Sequence, residues 1–95
     1  MIPNEVNICG VPHRIIPVMD CFTDKGHFGE ITYTAAEIRI NMEMPDALQM
    51  QTLVHEWLHG ALVMLGFNEE SENEKLVAGL SVAINQTFVL REEQT

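Results

Sequence analysis

Apolar and polar residues alternate with a period of two through the first half of the chain, then recur at helical spacing through the second. Val6 and Ile8 alternate with polar neighbours between Glu5 and Cys9, which predicts a first strand, and Gly10-Val11-Pro12 is a turn signal. His13 to Met19 returns as a second strand. Pro17 removes a ladder donor there, so this strand is expected to be an edge or to break at the proline. Asp20 to Gly29 reads as a loop, and Glu30 to Thr34 resumes the alternation through Ile31 and Tyr33. The clearest strand follows, with Ile38, Ile40, Met42 and Met44 alternating with Glu37, Arg39, Asn41 and Glu43. That pattern predicts a half-buried antiparallel strand with one wet face.

Pro45-Asp46 then changes the period. Asp46 with Gln49 three residues on makes a capping box, and a helix is predicted from Asp46 to Leu65 with Gly66 as its stop. Leu53, Val54, Trp57, Leu58, Ala61, Leu62, Val63 and Leu65 make this helix apolar nearly all round, so it should be buried. A polar loop at Asn68-Glu69-Glu70 precedes a second capping-box pattern, Ser71 with Glu74, and a helix running to about Leu90. Its expected core stripe is Val77, Leu80, Ile84 and Phe88, and Arg91 to Thr95 form a polar, frayed tail. The order predicts an α+β fold: a small antiparallel sheet of three or four strands packed on two helices, in one domain over residues 1–95.

The buried helix carries the chemistry. His55-Glu56-Trp57-Leu58-His59 is an HExxH pattern. Two histidines four apart leave one helix face about 40° apart around the axis and about 6 Å along it, so their imidazoles can converge on one ion. Zinc prefers such nitrogen ligands, and Glu56 falls beside the ion, where it can take a proton from bound water. The plainer alternative is a chance motif whose histidines merely cap or pack. The apolar flanks weigh against it, because buried imidazole and carboxylate groups without partners cost several kcal/mol.

Fourteen acidic against five basic side chains give a net charge of −9. That argues against direct nucleic-acid binding, which needs Lys and Arg on phosphates, and fits either a solvated acidic surface or a basic substrate segment. Met1-Ile2-Pro3-Asn4-Glu5 has neither the basic start nor the apolar run of a signal peptide, and residues 53–65 are too interrupted by polar groups for a membrane span. A cytoplasmic protein with free thiols at Cys9 and Cys21 is expected, Cys9 in a strand and Cys21 in a loop. In a domain this small, a metal crosslink between helices or a homo-oligomeric partner would help the fold hold together.

Two histidines hold a catalytic zinc poorly, and a third protein ligand is usual. Downstream candidates are Glu69, Glu70, Glu72 and Glu74. Helical phase puts Glu74 beside the core stripe, with Glu70 next and Glu72 turned toward solvent. Glu74 also has a purely structural use, as the capping glutamate of Ser71.

Strands, then Thr52 to Gly60 with its HExxH, then a helix bearing Asn73-Glu74 is a layout that resembles a gluzincin metallopeptidase core. It is similar to small ImmA/IrrE-type peptidases of phages and mobile elements. The resemblance implies zinc bound by His55, His59 and Glu74, Glu56 as general base, and a peptide or protein substrate held by β-addition on the strand at residues 37–43. The chain lacks the longer HExxHxxGxxH motif, so it is not read as a metzincin; against the gluzincin pattern, its gap from His59 to Glu74 is short and it shows no second half-domain or DNA-binding domain. Tyr33, His13 and His27 are the residues of the types that stabilise an oxyanion. The alternative to a peptidase is a catalytically silent, zinc-stabilised binding or regulatory module. A non-peptide amidase would use the same metal chemistry.

Overall fold

The computed structural model describes residues 2–19 and 28–88. Cys21, His27, Leu90 and the tail at 91–95 lie outside the described residues. Strands β1 (Glu5–Ile8) and β2 (Val11–Val18) form a hairpin in which Ile8 faces Val11. Cys9 and Gly10 make its two-residue turn, with φ of 51° and 85°. Positive φ at both positions is the primed turn whose twist matches paired strands, and Gly10 adopts it at no steric cost. The turn therefore falls one residue earlier than expected, and Cys9 is an exposed free thiol in it, not a strand residue.

β3 (Gly29–Thr32) and β4 (Glu37–Asn41) form a second antiparallel hairpin. The sheet order is β1-β2-β4-β3, and β4 runs parallel to β2 from the Arg14–Glu37 pair to the Val18–Asn41 pair. The class is α+β as expected, but the sheet is mixed, not antiparallel. β2 ends beside the end of β4, where β3 begins, so the chain passes over one strand position and the returning hairpin fills it.

Pro17 sits inside an unbroken β2. Arg14 N–H donates to Ala36 O on the β4 side and Ile15 N–H donates to Asn4 O on the β1 side. By alternation the missing donor of Pro17 faces the β1 side, beyond the last β1 pair at Glu5–Arg14. The strand is interior, yet at Pro17 it has no partner to lose.

β4 keeps Ile38 and Ile40 fully buried and ends at Asn41, whose Oδ1 accepts from Glu43 N at 2.9 Å. Met42 is accordingly exposed, and Met44 is buried past the turn, where the alternation had placed both on one strand face. The wet face holds over Glu37 and Arg39, where Arg14 pairs with Glu37 and Arg39 lies 3.8 Å from Glu30 and from Glu37, but Asn41, expected on it, is buried.

α1 (Asp46–Met64) follows Pro45, whose carbonyl accepts from Leu48 and Gln49 N–H, both at 3.0 Å. The expected Asp46–Gln49 box is not formed. Gln49 Nε2 instead donates to Met44 O at 2.8 Å and braces the corner between strand and helix. The sheet covers one side of α1 and α3 another, which is why so apolar a helix is stable here. Ile8, Ile38, Ile40 and Leu53 are the fully buried centre of the sheet–helix core.

A Cβ on Gly29 would lie 2.8 Å from Thr52 Cγ2 and 2.9 Å from Arg39 O, so only glycine lets β3 approach α1 this closely. Gly29→Ala should lower stability by about 1–3 kcal/mol by overpacking. Urea unfolding checks it, and an unchanged midpoint would mean that β3 can leave α1 at no cost.

The single second helix becomes two. α2 (Asn68–Glu72) is one short turn of helix containing Ser71, and α3 (Glu74–Thr87) starts at Asn73, whose Oδ1 accepts from Leu76 N at 3.1 Å. Asn73 is the cap, where Ser71 had been expected, so Glu74 is released from a capping role. Val77 and Ser81 are the buried line of α3, whereas Leu80 and Phe88 are exposed. Only Lys75 is charged between residues 75 and 87, so apolar spacing alone could not choose the inward face. Among the described residues no helix is long and apolar enough to cross a membrane.

Candidate metal centre

The helical repeat of α1 brings His55 and His59 together, with their Nε2 atoms 3.2 Å apart and ring centroids 4.9 Å apart. Glu74, the first residue of α3, reaches both. Its Oε2 lies 3.2 Å from His55 Nε2 and its Oε1 lies 2.9 Å from His59 Nε2. Donors held at 2.0–2.1 Å around a tetrahedral ion stand about 3.3 Å from one another. The separation of the two nitrogens is close to that edge length, and the carboxylate of Glu74 lies within reach of both, one oxygen toward each. These three residues form a group able to hold a metal ion. Of the four acidic candidates, Glu74 is the one in this group, and Glu69, Glu70 and Glu72 on α2 are not.

Electrostatics favour the ligand state. Burial holds the His55 imidazole below its usual pKa, and His59 beside it acts in the same direction, while Glu74 opposes both. A neutral imidazole keeps the lone pair that a metal needs. Glu56 is buried, at 9% exposure, and its carboxyl is pushed up to about 7 by burial, then by the charges of Glu74 and Glu30. A cation at the three donors would draw that value back down.

Sequence reasoning missed Ser71. It is buried, its Oγ lies 3.2 Å from His59 Nδ1, and it donates to His59 O at 3.3 Å. A serine in an acidic run reads as a helix cap, and nothing in the local pattern points twelve residues back to a histidine.

Of the two oxyanion candidates among the described residues, Tyr33 is brought near these groups and His13 is not. Tyr33 lies in the β3–β4 turn, where burial raises its pKa, a hydrogen bond with Ser71 lowers it and the Glu56 charge raises it. His13 is buried in β2 with Nδ1 2.9 Å from Val11 O. His27 lies outside the described residues.

A cleft of about 270 Å³ opens beside the cluster, with His55, Glu56 and Glu74 on one side and Phe28, Gly29, Leu48 and Thr52 among its walls. β4 pairs on both sides and cannot take another strand, which corrects the edge expected at residues 37–43. The edge strands are β1 and β3, and β3 is the one whose Gly29 lines the cleft. Asn41 N–H donates to Phe28 O, so alternation turns the peptide groups of Gly29 and Ile31 away from β4, toward the unpaired side.

Compared with known protein families, with curated proteins and with solved structures, the chain matches none.

Proposed function

We propose that the chain is a zinc-dependent peptidase of the gluzincin type. The observation that carries this reading is the His55, His59 and Glu74 donor triangle with buried Glu56 in the same cleft. Two nitrogens and one carboxylate suit zinc, with a fourth position left for water. Zinc bound there would supply Lewis acidity, lowering the pKa of water toward about 7 and polarising a carbonyl.

The chain's own groups would do the rest. Glu56 takes a proton from the water that attacks the scissile carbonyl, and returns it to the nitrogen as the C–N bond breaks. Tyr33 carries a hydroxyl hydrogen-bonded with Ser71 and near Glu56, which would have to turn from the serine to donate to the developing oxyanion. The outward peptide groups of Gly29 and Ile31 would hold an extended substrate by β-addition, and the small cleft would admit about one side chain.

Elemental mass spectrometry of the wild type, His59→Ala, Glu74→Ala and Glu70→Ala tests the site. One zinc per chain is expected in the wild type and in Glu70→Ala, and loss is expected in the other two. No zinc in the wild type after reconstitution would overturn the proposal. Zinc retained in Glu74→Ala and lost in Glu70→Ala would move the third ligand.

A further inference from the structure

We infer that Ser71 is the positioning residue of this centre, orienting His59 through a tautomer lock and seating Glu74 through the chain. The inference rests on the metal-site reading above. A serine hydroxyl has one proton to give and two lone pairs to offer. With Nε2 of His59 turned toward His55 and Glu74 as a ligand atom, Nδ1 must carry the ring proton, and Ser71 Oγ is its acceptor at 3.2 Å. The serine's own proton goes to His59 O at 3.3 Å. Ring and backbone of one residue are thus gripped by a single buried oxygen, which sets the rotation of the imidazole as well as its tautomer.

The same contact places the third ligand. Ser71 ties α2 to the middle of α1, Asn73 then caps α3, and Glu74 follows as the first residue of that helix. Among the described helices and strands, α3 contacts α1 and α2 and no strand. Tyr33 is the serine's other neighbour, and the β3–β4 turn, α1 and α2 therefore meet at one hydroxyl. A histidine held by a partner on its far nitrogen binds metal more tightly, and removing such a partner typically costs 10–100-fold in affinity.

The test compares wild type, Ser71→Ala and Ser71→Thr, using zinc alone in competition with a chromophoric chelator, and NMR of the His59 Nδ1–H in the zinc-loaded proteins. Ser71→Ala should weaken zinc about 10–100-fold and lose the slowly exchanging Nδ1–H signal, while Ser71→Thr, which keeps the hydroxyl, restores both. Packing of α2 on α1 alone would not give that proton its protection. Should Ser71→Ala fail to fold, the wild-type spectrum and Ser71→Thr decide the matter. A rapidly exchanging His59 Nδ1–H in the zinc-loaded wild type would overturn the inference. So would wild-type affinity in Ser71→Ala. Wild type that binds no zinc fails at the earlier step, and is distinguished by that.

Discussion

Glu56→Gln should reduce peptide hydrolysis by about 10²–10⁴-fold, the contribution of a general base, while leaving one zinc per chain. Glutamine has nearly the shape of glutamate, so it should fit a site that is only 9% exposed. Its amide cannot accept a proton from water, and Glu56 is not among the three clustered donors, so metal binding has no reason to change. The measurement is kcat/KM on a peptide library with zinc content determined on the same samples. Full turnover in Glu56→Gln would remove Glu56 from the mechanism. No turnover in zinc-loaded wild type, with partner binding equal in both proteins, would instead support a silent binding module.

Zinc should also stabilise the fold strongly. At a free concentration about a thousand times Kd, a ligand specific to the native state adds about 4 kcal/mol. In a domain of this size that raises Tm on the order of 15–30 °C. The reason lies in how little else holds α3. Val77 and Ser81 are its buried residues, it contacts no strand among the described elements, and the cluster links its first turn to two turns of α1. Without a cation, Glu74 and the buried Glu56 also repel each other. Thermal unfolding with zinc, with excess chelator and in His59→Ala checks this, and hydrogen exchange should show the largest gain in α3. A Tm indifferent to zinc and chelator would sink the expectation.

The sequence alone determined much of the site. HExxH on an apolar helix placed His55, Glu56 and His59, because a repeat of 3.6 residues brings positions four apart together whatever surrounds the helix. Alternation likewise showed which face of β4 is buried and that Arg39 and Glu37 lie on the wet one. Periodicity reports a face within one element and is silent on that element's neighbours.

Neighbours were decided by the tertiary structure. The parallel β2–β4 pairing gave β4 two partners and left β3, with β1, at the sheet's edges, a choice made by pairing between strands distant in sequence. On α3 the spacing favoured Leu80, but contact with α1 buried Ser81, because both faces of that helix are apolar enough to turn inward. Glu74 was separated from its acidic neighbours once Asn73 took the cap and α2 folded onto α1. Ser71 was invisible beforehand for the same reason: its partner is twelve residues away on another helix, and a hydroxyl carries no local sign of which distant nitrogen it will meet.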